Sequence, residues 1–168
     1  ILSQHDYPAP VEAMVAEVLA GVDEDVRPRC LDWSGRTSLV ELSVLLARAA
    51  VLITNDSGPM HLAASLGLPT ISFFGPETPR LYGPVGDRHL VFYSGHWCSP
   101  CLSVYNAKIA MCAGENECMR RIGLAEVVER SRVFCREVVG MAPPLPRPIA
   151  DHMAFPTSPQ GDESGPPS

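Results

Sequence analysis

Residues 50–74 restrict the fold more tightly than any other stretch of this chain. Ala50-Val51-Leu52-Ile53-Thr54 is an unbroken apolar run of strand length, and Asn55-Asp56-Ser57-Gly58 is a turn. Pro59 to Leu66 reads as a short helix stopped by Gly67, and Pro69-Thr70-Ile71-Ser72-Phe73-Phe74 is a second apolar run. Strands that are apolar throughout, rather than alternating, are those buried on both faces. Two of them joined by a helix pair in parallel through a right-handed crossover.

The same alternation continues on both sides. Val11, Met14, Val15, Val18 and Leu19 follow helical spacing, with Gly21 as a stop. Cys30-Leu31-Asp32-Trp33 reads as a short strand. Ser38 and Glu41 have capping-box spacing ahead of Leu42, Leu45, Leu46 and Ala49 on one helical face. His89-Leu90-Val91-Phe92-Tyr93 reads as a third buried strand, and Leu124, Val127, Val128, Phe134 and Val138 suggest a closing helix. The expected class is α/β, a Rossmann-like parallel sheet with flanking helices. In such sheets ligands sit beyond the carboxyl ends of the strands, so chemistry is expected in the loops after Thr54 and Phe74.

A chain of 168 residues suits one domain. Residues 1–140 are expected to fold. From 141 to 168 prolines crowd among Ser, Gly and Asp, a composition that cannot bury enough apolar surface to offset its ordering entropy, so disorder is expected there. The net charge of −6 and the lack of a strongly basic half argue against nucleic-acid binding. No run approaches the roughly 20 apolar residues that span a bilayer. The opening Ile1-Leu2-Ser3 has neither an initiator Met nor a signal-peptide pattern. The expectation is a soluble, cytoplasmic piece of a longer protein, with reduced cysteines.

The loop after Thr54 has the chemistry of an anion site. Pro59 suits a first helical turn, where its missing N–H has no intrahelical partner. Gly58 lets the backbone bend and a ligand come close. The free amides of that turn carry partial positive charge suited to a diphosphate. His61, in the same turn, can donate to a phosphate oxygen. Asp56 repels phosphate and is expected to accept from loop amides or a sugar hydroxyl. The blander alternative is a strand-to-helix turn in which Asp56 or Ser57 merely caps the helix. A second loop, Phe74-Gly75-Pro76-Glu77-Thr78-Pro79, follows the next strand; Gly75 and Pro76 are expected to make a tight turn there, giving the cleft its other wall.

Cys98, Cys101, Cys112 and Cys118 have the spacing C-x2-C-x10-C-x5-C, which suits a structural four-sulfur zinc site remote from any transfer chemistry. The alternative is a loop of reduced thiols. His96 and Trp97 are expected to be packing or surface residues, and Arg120 and Arg121 a solvated basic spot.

Asn55-Asp56-Ser57-Gly58-Pro59-Met60-His61-Leu62-Ala63-Ala64, Gly67-Leu68-Pro69-Thr70, Phe74-Gly75-Pro76-Glu77-Thr78-Pro79 and Gly83-Pro84 with Gly86-Asp87-Arg88-His89 together resemble glycosyltransferase family 9, the ADP-heptose:lipopolysaccharide heptosyltransferases. Gly35-Arg36-Thr37-Ser38-Leu39 and Cys98-Ser99-Pro100-Cys101 to Cys118-Met119 extend the resemblance over roughly residues 30–135. It implies the C-terminal half of a GT-B enzyme, two facing Rossmann-like domains of which the second holds the nucleotide sugar. Asp56, Ser57, Gly58 and His61 would then contact the diphosphate and sugar of ADP-heptose, and Thr37 the nucleoside. The reaction implied is inverting transfer to lipopolysaccharide core without a metal ion. Peripheral contact with the inner membrane would accompany it. The family's catalytic base belongs to the first domain, so no catalytic residue is expected in this chain, and the chain alone is not expected to transfer sugar. The competing reading from another class is a non-catalytic, cysteine- or metal-stabilised interaction module.

Overall fold

The computed structural model describes residues 11–102, 112 and 115–141. The proline-rich tail expected from residue 141 therefore lies, beyond Met141 itself, outside the described residues. Along the chain run α1 (Val11–Ala20), a 3-10 turn (Arg27–Arg29), α2 (Leu39–Arg48), β1 (Leu52–Asn55), α3 (Gly58–Ser65) and β2 (Thr70–Phe74). Then follow α4 (Pro79–Tyr82), β3 (His89–Tyr93), α5 (Glu117–Arg120) and α6 (Leu124–Met141). The three strands form one sheet in the order β1-β2-β3, parallel throughout. The α/β expectation holds.

Local chemistry sets the helix ends. Ser38 Oγ accepts from the Glu41 N–H (3.3 Å), and Glu41 Oε2 accepts from the Ser38 N–H (2.7 Å), so the capping box closes as its spacing predicts. At the other end of the central unit, Gly67 takes the left-handed conformation (φ +71°). Its N–H donates to the Ala64 carbonyl and the Leu68 N–H to the Ala63 carbonyl, each 3.0 Å. This 6→1 and 5→2 pairing is the Schellman termination that glycine permits. It turns Leu68 inward, where it packs with Ala63 and Leu46, flanked by Leu42, Leu52 and Leu62.

β2, with a neighbour on each side, is the strand the continuous apolar run best describes. Thr70, Ile71, Ser72 and Phe74 are all fully buried. β1 departs from expectation. It starts at Leu52 rather than Ala50, and Ile53 is 62% exposed. Being at the sheet edge, β1 is covered on the face that meets α2 and α3 and open on the other. The short strand expected at Cys30–Trp33 does not form; Arg27–Arg29 is a 3-10 turn, and Cys30 to Trp33 is irregular.

The opposite face of the sheet is built on Phe92 of β3. The Phe73 and Phe92 rings stack with centroids 5.3 Å apart, and the Arg130 guanidinium of α6 lies 4.9 Å from the Phe92 centroid. Full burial of side chains such as Phe74, Phe92 and Met60 contributes about 1.5–3 kcal/mol each. Where the strands begin, His89 spans two elements. Its Nε2 donates to the Val85 carbonyl (3.1 Å), which leaves Nδ1 to accept from the Thr70 hydroxyl (2.9 Å).

Candidate functional site

The carboxyl ends of β1 and β2 stand side by side. Asn55 pairs with Phe73, and the Asp56 N–H donates to the Phe73 carbonyl (3.1 Å), so the loop after β1 starts directly beside the loop after β2. From there the chain enters α3 within two residues.

The entry to α3 leaves one backbone donor without a partner among the described residues, since the Met60 N–H donates to the Ser57 carbonyl (3.0 Å). Ser57 is the N-cap in extended conformation, yet its side chain makes no capping bond. Its hydroxyl turns back into the loop instead, 3.1 Å from Thr54 Oγ1, and donates to the Asn55 carbonyl (3.1 Å). Among the described residues no backbone oxygen accepts from the Gly58 N–H, and Pro59 has no N–H to satisfy. Gly58 is exposed, and no other group lies within 4 Å of where a Cβ on it would stand. An uncapped helix end with open space at its first residue presents partial positive charge to solvent. Ser57 thus does not cap the helix with its own side chain.

His61 lies in this first turn and is exposed, while Asp56 and Ser57 are half-buried. Thr37 is half-buried just before α2. α2 packs on α3 and ends three residues ahead of β1, so its C-terminal end lies where the strands begin and Thr37 lies toward their carboxyl edge. The topology therefore carries Thr37, Asp56, Ser57, Gly58 and His61 to one edge of the sheet.

The loop after β2 bends at Gly75, Pro76 and Glu77, but not because glycine supplies a left-handed residue. Gly75 has no positive φ. It is buried, and a Cβ there would stand 2.5 Å from Met119 Sδ and 3.3 Å from Cys118 Sγ. Glycine is required by the close approach of α5, a demand of packing between distant segments that local sequence does not reveal. Glu77, in the same loop, is buried at 8% exposure and was not singled out by sequence reasoning; a carboxylate inside a Gly-Pro-rich loop reads as solvated until the fold covers it.

The cysteines converge on this second loop. The Cys101 N–H donates to the Pro76 carbonyl (2.9 Å), and the Ser99 hydroxyl, 3.1 Å from Tyr93 Oη, donates to the Gly75 carbonyl. Cys118, buried in α5, is held by the Ser94 hydroxyl, which donates to its carbonyl (2.7 Å). Cys112 Sγ accepts from the Asn116 N–H (3.2 Å), at the N-cap of α5. Burial pushes the Cys118 thiol above its ordinary value, and the nearby sulfurs of Cys101, Cys98 and Cys112 push it the same way. All six cysteines are free thiols. The four sulfurs are gathered but not closed: among the described residues no three His, Cys, Asp or Glu side chains stand ready as a metal cage.

Other expectations resolve plainly. Trp97 is 88% exposed, its ring 5.8 Å from that of His96. Arg120 and Arg121 pair with Glu115 and Glu117 at 3.3–3.9 Å on the surface, so they form an exposed ion-pair group rather than a bare basic spot. An open depression of about 280 Å³ lined by Leu90, Glu129, Arg130, Val133, Phe134 and Glu137 lies between α6 and the start of β3, away from the carboxyl edge. Among the described residues no helix is long and apolar enough to cross a membrane.

A parallel α/β sheet with an open first-turn amide at the carboxyl end of a strand is an arrangement in which nucleotide-binding domains hold phosphate. Comparison with known proteins narrows this. The model of glycosyltransferase family 9 (heptosyltransferase) matches residues 4–110, and the chain belongs to that family. Among similar proteins, the lipooligosaccharide heptosyltransferase 2 of Haemophilus influenzae is 35% identical over 77 residues, 46% of this chain and 22% of that protein. The lipopolysaccharide heptosyltransferase 1 of Pseudomonas aeruginosa is 40% identical over 67 residues, 40% of this chain and 19% of that one. Two solved structures share the fold at 24% identity. The E. coli ADP-heptose lipopolysaccharide heptosyltransferase II has a TM-score of 0.55, over 73% of this chain and 32% of its own. The family 9 glycosyl transferase of Veillonella parvula has a TM-score of 0.57, over 77% and 35%. This chain thus corresponds to about a third of each solved structure.

Proposed function

We propose that this chain supplies the nucleotide-sugar-binding part of a heptosyltransferase, with ADP-heptose as donor and lipopolysaccharide core as acceptor. The observation that carries the proposal is the entry to α3, where Ser57 makes no side-chain cap and, among the described residues, nothing accepts from the Gly58 N–H or crowds it. A diphosphate against that amide gains a hydrogen bond and the favourable end of the helix dipole. As the glycosidic bond breaks, charge develops on the departing diphosphate, and donors fixed in advance stabilise it without reorganising. His61 adds a further donor from the exposed side of the same turn. Asp56 can accept from a sugar hydroxyl, and Thr37 can meet the nucleoside from the start of α2. The reaction inverts the anomeric centre and needs no metal. The base that deprotonates the acceptor lies outside the residues assigned here. The setting is the cytoplasmic face of the inner membrane, where such acceptors would be met peripherally.

Calorimetric titration with ADP-heptose, ADP and UDP tests this. Binding of both adenine compounds, with UDP weaker, is the expected result. No binding of any of the three would end the proposal. The 168-residue chain by itself is expected to show no acceptor-dependent ADP release; robust release would refute the placing of the base elsewhere.

A further inference from the structure

Four cysteines lie on three segments, each tied to the loop after β2 or to α5. Cys98 and Cys101 flank Ser99, whose hydroxyl holds the Gly75 carbonyl, while the Cys101 N–H holds Pro76. Cys118 presses its sulfur toward Gly75 from the other side. Cys112 is tied to Asn116, the N-cap of the same short helix, by an N–H···S bond, the kind of contact that orients and stabilises a thiolate ligand. Each cysteine is therefore anchored, through its own backbone or a neighbour's, to Gly75–Pro76 or to α5. Cys30 and Cys135 have no part in this.

We propose that Cys98, Cys101, Cys112 and Cys118 bind one zinc ion as a structural tetrathiolate site that staples the loop after β2 to the segment after β3 and to α5. The donor set fits the ion. Four soft sulfurs, with no carboxylate or imidazole in the set, suit tetrahedral zinc. A C-x2-C pair on a turn can present two ligands, and Cys112 and Cys118, at the two ends of the Asn116 cap, can supply the others. Side-chain rotation is still required, because no three ligands stand ready as a cage. Bringing four thiolates together without a cation is opposed by mutual repulsion; a dication reverses that balance and deprotonates its ligands. The staple would fix Gly75–Pro76, the residues that continue from the strand position bonded to Asp56. This assignment does not depend on what the α3 entry binds.

The test begins with protein purified anaerobically under reductant, from zinc-supplemented cells and without a metal-affinity step. Elemental analysis is expected to find about one zinc per chain, the stoichiometry of a four-coordinate site. Replacement by Co(II) should give intense sulfur-to-metal charge-transfer absorption with tetrahedral ligand-field bands. Cys98→Ser, Cys101→Ser, Cys112→Ser and Cys118→Ser should each lose bound zinc, whereas Cys30→Ser and Cys135→Ser should retain it. If a serine variant fails to fold, the cobalt spectrum of the unaltered protein still decides. Zinc near zero, a cobalt spectrum without sulfur bands, or zinc retained in all four cluster variants would each overturn the proposal.

Discussion

Replacing Gly58 with alanine separates folding from binding because the two should move in opposite directions. Gly58 is the first residue of α3, has no positive φ, and offers a new Cβ open space to 4 Å. Alanine can adopt this backbone without strain. It then restricts the unfolded chain more than glycine does, which stabilises the fold by about 0.4–1 kcal/mol. For a domain of this size that is a rise in Tm of roughly 1–4 °C. The same methyl group stands where a diphosphate would approach the Gly58 N–H. Pushing the anion away from the helix end should weaken ADP binding about tenfold, or about 1.4 kcal/mol. A thermal melt and a calorimetric titration on one preparation read both effects. Unchanged affinity in a stabilised variant would show that the ligand does not approach Gly58 and would refute the binding geometry. A lowered Tm would refute the claim that the backbone is unstrained.

Four further outcomes follow from the structure. His61→Ala, at an exposed position, should leave Tm nearly unchanged while weakening ADP binding by about 1–3 kcal/mol, the range of a lost charge-assisted hydrogen bond; equal affinity would remove His61 from the site. Gly75→Ala should destabilise by about 1–3 kcal/mol through overpacking against Met119. Adding Met119→Ala should recover part of that loss in a double-mutant cycle, and strict additivity in urea melts would show that the two do not meet. Glu41 is held below its ordinary pKa by the Ser38 N–H and hydroxyl. A depressed carboxylate stabilises the fold above its unfolded-state value and loses that contribution as pH falls through its folded-state value. The stability difference between the native protein and Glu41→Gln should therefore shrink on acidification, and a pH-independent difference would argue that the capping box does not form. Ser38→Ala should cost about 1 kcal/mol at neutral pH.

The elements that local sequence could announce are those whose cause is local. Ser38 with Glu41 and Gly67 ahead of buried Leu68 each satisfy orphan backbone groups within a few residues, Pro59 after Gly58 removes one, and each forms where expected. β2 and β3 were legible for a related reason, since an apolar run of five residues has little alternative to a buried strand. What failed depended on distant segments. Cys30-Leu31-Asp32-Trp33 has the residue types of a strand but pairs with no described strand, and Leu31 is 76% exposed. Ile53 looks like a core residue, yet the helices pack on the other face of β1. Gly75 suggested a turn, whereas Met119, forty-four residues on, is what excludes a side chain there. At the site, the strand-loop-helix order pointed to the loops after Thr54 and Phe74, and the register of β1 and β2 sets those loops side by side. That Ser57 would turn its hydroxyl toward Thr54 and leave the helix uncapped could not be read from a sequence in which serine is the expected cap.

The direction of that serine decides more than one hydrogen bond. In a self-sufficient turn the N-cap hydroxyl would accept from the second or third helical amide, and substituting it would cost fold stability. Here it serves the loop, and among the described residues the Gly58 N–H at the start of the helix is left without a partner. The deficit is tolerable because α3 does not depend on its cap. Met60 and Ala63 are fully buried, and the Schellman turn secures the far end. Packing thus holds the segment in place while its first turn stays open. β1, as the edge strand, leaves the outer side of the loop uncovered among the described residues, whereas β2, with its loop backed by Gly75 and α5, walls the inner side. An anion entering from the open side would meet fixed donors against a rigid wall, and the strength of its binding would follow from how little of the protein must rearrange.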